Sequence, residues 1–221
     1  MMNRLLDGVR HFRHEIYPSR REVYKRAART AQRPHTLFIT CADSRIDPEL
    51  ITQSGPGEIF VTRNIGNLVP AYGEMLGGVS AVIEYAVAAL GVGHVVICGH
   101  TDCGAMKALL HPEQAEKLPT VKAWLRNAEA ARSVVEAQNQ GADEKVVLNA
   151  LIEQNVLHQL VHLRTHPSVA GALAQRALTV AGWVYDIGEG DVRIHDSASN
   201  RFIPIDHLEV TSHRQDVAAS V

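Results

Sequence analysis

Two short, β-rich apolar runs in this chain each end at a cysteine, and the polar turn after each carries reactive side chains. Thr36 to Thr40 runs into Cys41-Ala42-Asp43-Ser44-Arg45, and His94 to Cys98 runs into Gly99-His100-Thr101-Asp102-Cys103-Gly104. A run of this length, closed by a polar turn, reads as a buried strand. Ile59 to Thr62 is a further run of the same kind, and Gly78 to Leu90 has the alanine-rich pattern of a buried helix closed by Gly91 and Gly93. Strand, helix, strand in that order predicts an α/β fold with a central, mainly parallel β-sheet flanked by helices.

The flanking segments fit one such unit. Residues 2 to about 31 read as one or two amphipathic helices, with Leu5, Leu6, Val9 and Phe12 at helical spacing and Pro18 as a break, a packing arm in front of the core. Helical stretches are predicted over Val121 to Gln138, Asp143 to His166 and Ser168 to Ala177. Short strands follow over Leu178 to Tyr185, Val192 to His195 and Phe202 to Ile205, joined by turns at residues 188–190 and 197–200. At 221 residues one domain is expected over 1–221: an arm over 1–33, an α/β core over 34–211 and a loose tail over 212–221.

Charge narrows the partners. A formal net charge of −2 leaves no footprint for nucleic acid or an anionic membrane, and no apolar run reaches spanning length. A small or neutral partner fits better. The opening segment lacks the apolar stretch of a signal peptide, and the three cysteines are too few and too scattered for a disulfide framework. Thiols that stay reduced point to a cytoplasmic setting.

In parallel α/β sheets, binding residues gather beyond the carboxyl ends of strands. If the strands ending at Cys41 and Cys98 are close, Cys41 meets His100 and Cys103. Imidazole and thiolate are the ligands zinc prefers, and three of them with one open position describe a catalytic site rather than a structural one. Water in that position would have its pKa lowered to about 7, giving hydroxide at neutral pH. On the residues alone other readings stand beside this one: cysteines as small core hydrophobes, a four-ligand site that includes Cys98, a Cys98–Cys103 redox pair, or a plain Gly-rich turn. Cys98, within the strand, is better read as core. Asp43 and Arg45 sharpen the catalytic reading, since a carboxylate two residues past a ligand can be oriented by a guanidinium two residues further on.

Cys-Ala-Asp-Ser-Arg (41–45), Pro-Gly-Glu-Ile-Phe-Val-Thr-Arg-Asn-Ile-Gly-Asn (56–67) and Cys-Gly-His-Thr-Asp-Cys-Gly (98–104) resemble the signature segments of β-class carbonic anhydrases. The likeness extends from the arm near Phe12 to residues 182–187 and is strongest to the bacterial branch that includes cyanate-operon and carboxysomal enzymes. The resemblance implies reversible hydration of carbon dioxide to bicarbonate and a proton. It implies one zinc ion per chain on Cys41, His100 and Cys103, and an Asp43–Arg45 dyad that keeps the fourth position free. It also implies an apolar substrate pocket shared across a dimer interface, with Gln32, Phe60, Ile65 and Tyr85 on the pocket positions, and a homodimer or higher homo-oligomer. A bicarbonate-inhibited subclass builds a second pocket on a Trp, an Arg and a Tyr. Arg63 and Tyr185 match it here, but Phe38 stands at the Trp position, so the open arrangement is expected at neutral pH. Alternatives are a related zinc hydrolase acting on a small linear molecule such as carbon disulfide, and a non-catalytic zinc-stabilised scaffold.

Overall fold

The structure, a computed structural model, describes residues 2–74 and 77–208. In chain order it comprises α1 (Met2–His11), a π-helical turn (Phe12–Ile16), α2 (Tyr17–Arg29), β1 (Thr36–Cys41), α3 (Pro48–Thr52), β2 (Ile59–Asn64), α4 (Gly78–Glu84), β3 (His94–His100), α5 (Gly104–Leu110), α6 (Pro119–Leu125), α7 (Glu129–Gln138), α8 (Glu144–Leu163), α9 (Pro167–Ala174), β4 (Thr179–Tyr185), β5 (Val192–Asp196) and β6 (Arg201–Pro204). Every strand expected from the sequence is present within two residues, and the α/β class holds. No helix among the described residues is long and apolar enough to cross a membrane. The tail expected over 212–221 lies outside the described residues.

The six strands form one sheet in the order β2-β1-β3-β4-β5-β6. β2, β1, β3 and β4 are mutually parallel, whereas β5 and β6 return antiparallel through the short turns predicted at 188–190 and 197–200. The crossovers between parallel strands place helices against one face. Leu37, Ile39, Val95, Ile97 and Val184 form the core there with Leu151, Ile152, Val156 and Leu163 of α8. That helix sits unusually close to the sheet. A β-carbon at Gly182 would lie 2.8 Å from Val156 Cγ1, and one at Gly99 2.9 Å from Val156 Cγ2. Val156 is thus wedged between two strand positions that only glycine fills.

The other face carries a smaller cluster of Phe38, Val96 and Cys98, with Trp183 packed edge-on to Phe38 at a centroid distance of 5.7 Å. Cys98 faces this side, away from Cys41 and Cys103, which belong to the helix-side core. Burial pushes its thiol up to about 12. Cys98 is therefore a core residue, and the four-ligand and redox-pair readings fall with it.

The arm differs from expectation at Pro18, which does not break it. Residues 2–29 are helical throughout, and the ladder widens to a π turn in which Tyr17 N–H donates to Phe12 O. A wider turn just before Pro18 relieves the clash of its ring with the preceding carbonyls, and the carbonyl that loses its partner to the missing N–H lies on an arm with no buried residue, open to water. No residue of α1, the π turn or α2 is buried.

Candidate metal centre

Parallel register brings the reactive ends together. Thr40 pairs with Cys98 across β1 and β3, so Cys41 and His100 leave neighbouring strands at the same edge of the sheet. The chain then reverses through Asp102, whose left-handed backbone (φ 60°) turns Cys103 back toward His100 at the start of α5. Thr101 fastens this turn to β4: its N–H donates to Tyr185 O at 2.9 Å, and its hydroxyl accepts from Ile187 N at 3.1 Å. The result is one cluster in which the ligand atoms of Cys41, His100 and Cys103 all lie within 4.8 Å of one another, every residue buried.

The donor set fits a zinc ion. His100 Nδ1 lies 2.9 Å from Thr101 O, a carbonyl that only accepts, so the ring proton sits on Nδ1 and the Nε2 lone pair faces the sulfurs. Nε2 is buried and has no hydrogen-bond partner among the described residues. An imidazole nitrogen left bare in a core beside two thiols is the arrangement a borderline-soft cation satisfies. The thiols are biased the same way. The Cys103 thiol, hydrogen-bonded to Cys41, draws the latter down to about 4 against the opposing effect of burial, with further help from His100 and from the Gly66 and Asp43 N–H groups. Cys103 is pushed well above the ordinary range by the same contact and by burial. The two directions describe one proton shared by a pair whose thiolates repel when both are ionised.

Asp43 stands beside this group. Arg45 grips both of its oxygens, Nε to Oδ1 at 2.9 Å and Nη2 to Oδ2 at 2.7 Å, and the Arg45 N–H adds a third bond to Oδ1 at 3.0 Å. That guanidinium holds the Asp43 carboxyl well below the usual carboxylate range. Arg63, exposed at the end of β2, reaches under the same turn, donating from Nε to Cys41 O at 3.1 Å and from Nη2 to Asp43 O at 2.5 Å. It fixes the backbone on both sides of Ala42.

A buried amide ladder on α8 supports the opposite wall. Asn155 Nδ2 donates to Gly66 O at 3.1 Å, Gln159 Nε2 to Asn155 Oδ1 at 3.0 Å, and Val69 N to Gln159 Oε1 at 2.8 Å. Both amides are fully buried and hold the 66–69 loop whose Gly66 N–H bonds the Cys41 sulfur. Gly66 needs its residue type twice over, for φ 77° and for the 3.0 Å a β-carbon would leave to Ala105 Cβ. The sequence did offer a signal for this ladder: two amides four residues apart on the otherwise apolar buried stripe of α8.

The expected pocket residues fall into two groups. Phe60 and Tyr85 meet with ring centroids 6.1 Å apart, and Ile65 lies at the end of β2, its carbonyl taken by Trp124 Nε1 at 2.8 Å. Tyr85 and Ile65 are 50% and 42% exposed, an apolar surface left uncovered by this chain. Gln32 is not brought to the group. It lies before β1, at the amino end of a six-residue strand that Cys41 closes, so roughly 20 Å of strand separates them. There it lines a cleft of about 660 Å³ with Arg26, Gly55, Pro56 and Glu58.

Comparison with known proteins agrees with this geometry. Residues 36–192 match the carbonic anhydrase family model. A carbonic anhydrase of Pseudomonas aeruginosa is 51% identical over 210 residues, covering 95% of this chain and 94% of that protein. Among solved structures, the β-carbonic anhydrase CcaA superposes with a TM-score of 0.89 at 40% identity, covering 92% of this chain and 98% of that one. The tetrameric β-carbonic anhydrases of the filamentous ascomycete Sordaria macrospora give 0.78 at 30% identity, covering 87% and 95%. The match spans both strand ends that supply the Cys–His–Cys group and the turn that carries Asp43 and Arg45, and on that basis this chain belongs to the β-carbonic anhydrases.

Proposed function

We propose that the chain catalyses reversible hydration of carbon dioxide to bicarbonate and a proton, with one zinc ion on Cys41, His100 and Cys103. The observation that carries the reading is a buried Cys–His–Cys group with a bare imidazole nitrogen, adjoining a carboxylate held at both oxygens by an arginine. Zinc bound there supplies Lewis-acid activation of water near neutral pH. The protein's own residues supply the rest. Arg45 keeps Asp43 ionised and turned from the sulfurs, so that Asp43 accepts a hydrogen bond from the attacking water and leaves a lone pair for the substrate carbon. Phe60, Ile65 and Tyr85 form an apolar wall that keeps an uncharged, linear substrate out of bulk water.

The site is completed by a second copy of the chain. The arm exposes Leu5, Leu6, Val9, Phe12 and Ile16, and among the described residues nothing of the body covers them. Residues 1–33 carry nine Lys and Arg against three Asp and Glu, and residues 34–221 carry thirteen against twenty-one, so arm and body attract between copies. A homodimer or higher assembly, of the kind named for the Sordaria enzymes, places an amide such as Gln32 of one copy at the pocket of the other. Phe38, packed against Trp183, takes the place of the tryptophan that an inhibitory bicarbonate pocket needs, and the reading is of an enzyme open at neutral pH. The cysteines, all unpaired and buried, suit a reducing cytoplasm.

Stopped-flow carbon dioxide hydration by protein of measured zinc content, beside Cys103→Ala, tests the assignment. Fast hydration at about one zinc per chain, lost in the variant, is expected. Full zinc occupancy without hydration would overturn it, and carbon disulfide would be the next substrate tried.

A further inference from the structure

We infer that Asp102 is a positioning residue for the active site, clamping the edge of the Arg45 guanidinium next to the one that holds Asp43 and thereby fixing where the Asp43 carboxylate points. The inference rests on the proposed hydration reaction. It comes from how the Arg45 donors are distributed. Nε and Nη2 serve Asp43, while Nη1 donates to Asp102 Oδ2 at 2.9 Å and Nη2 reaches the Asp102 carbonyl at 3.3 Å. Arg45 is 44% exposed and otherwise free to swing on its flexible stem. The Arg45 backbone N–H holds Oδ1 of Asp43, but Oδ2 is held by Nη2, so the tilt of the carboxylate follows the guanidinium wherever its flexible stem carries it. Asp102 removes that freedom.

Asp102 is itself held by two means. Lys107, one turn into α5, donates to its other oxygen, Oδ1. Its left-handed backbone is built into the turn between His100 and Cys103. α5 is anchored in turn by Met106 and Leu109, both buried in the core. A rigid path therefore runs from the core through Lys107, Asp102 and Arg45 to Asp43, in charges of alternating sign. The orientation of Asp43 is referred to the same loop that presents His100 and Cys103. Isolated exposed ion pairs contribute little to stability, so this role is one of direction rather than of folding energy.

The test uses two substitutions the backbone tolerates, since glycine and asparagine both accept φ near 60°. Asp102→Gly removes the clamp, and Asp102→Asn keeps an oxygen acceptor for Arg45 Nη1. Each variant is prepared with zinc, for metal content and hydration rate, and with cobalt(II), titrated with sodium azide and followed by visible absorption. Azide binds only while the fourth position is open, so its apparent Kd rises with the fraction of chains in which Asp43 takes that position. In Asp102→Gly we expect full zinc content, an azide Kd raised about tenfold and hydration lowered by a similar factor, with Asp102→Asn restored to near the wild type. An azide Kd in Asp102→Gly within about twofold of wild type would overturn the proposal. So would loss of zinc from both variants, which would make Asp102 a structural part of the ligand loop. Should the wild type hold zinc and fail to hydrate carbon dioxide, the reaction assignment falls, and the azide comparison still decides the clamp.

Discussion

Gly182→Ala should loosen the sheet from α8. The added β-carbon would stand 2.8 Å from Val156 Cγ1 and 3.1 Å from Leu160 Cδ1, where ordinary contact begins near 3.4 Å. Val156 is fully buried and β-branched, so its single favoured rotamer cannot readily turn aside, and its other methyl lies only 2.9 Å from where a β-carbon on Gly99 would stand. Either the helix retreats by roughly 0.6 Å or Val156 leaves its rotamer. Overpacking of this kind costs about 1–3 kcal/mol, and two simultaneous close contacts put Gly182→Ala in the upper half of that range. Val156→Ala alone should cost about 1–2.5 kcal/mol through lost burial and the cavity it leaves. In the double variant the new methyl occupies space that Val156 vacated, so the combination should be less destabilised than the two singles together by about 2 kcal/mol. Urea unfolding of zinc-loaded protein at one fixed protein and zinc concentration reads these values. Gly182→Ala indistinguishable from wild type, or strict additivity in the double variant, would refute the wedge.

Three further outcomes can be checked directly. Arg45→Ala should lower hydration about a hundredfold while zinc content stays near one per chain, because it misdirects Asp43 without touching a ligand; unchanged turnover would end the dyad assignment. Zinc uptake by the metal-free protein at pH 7 should release about one proton rather than two, since the Cys103 thiol favours the Cys41 thiolate and the pair shares one proton; calorimetry in buffers of different ionisation enthalpy counts it, and two protons would refute the sharing. Asp43, its folded pKa depressed, stays ionised above the ordinary carboxylate range, and any stability it lends is lost only as pH falls through its own lower value. Because Phe38 stands where an inhibitory bicarbonate pocket has a tryptophan, hydration should also show no steep, bicarbonate-deepened collapse just below neutral pH, where a rate profile with and without added bicarbonate would expose one.

What was legible in the sequence was whatever depends on near neighbours in the chain. Strand lengths, the ligand triplet and the Asp43–Arg45 spacing all follow from runs of a few residues and their turns. Cys98 was assigned correctly because it lies within the apolar run from His94, short of the polar turn that carries the reactive side chains. Pro18 misled because a proline can be absorbed by a widened turn as well as by an interruption, and the choice depends on the ring's neighbours rather than on local propensity. The short helix α5 was not predicted, although Ala105, Met106 and Leu109 carry the apolar spacing of a helix. Helical periodicity marks Asn155 and Gln159 as buried amides but not the loop they reach, 89 positions away from Asn155, and nothing local reports that Arg45 meets Asp102 across 57 positions. Gln32 shows the opposite case: nine residues, six of them extended, already place it far from Cys41 within one chain.

The exposed apolar stripe on the arm has a consequence for synthesis. The arm is made before the body, and its own body does not cover it. On the proposed dimer, a newly finished chain carries a greasy, basic helix in water until a second copy covers it, and maturation is then second order in chain concentration. A cell making little of the protein would hold it longest in this form, as a client of chaperones and a target of proteases.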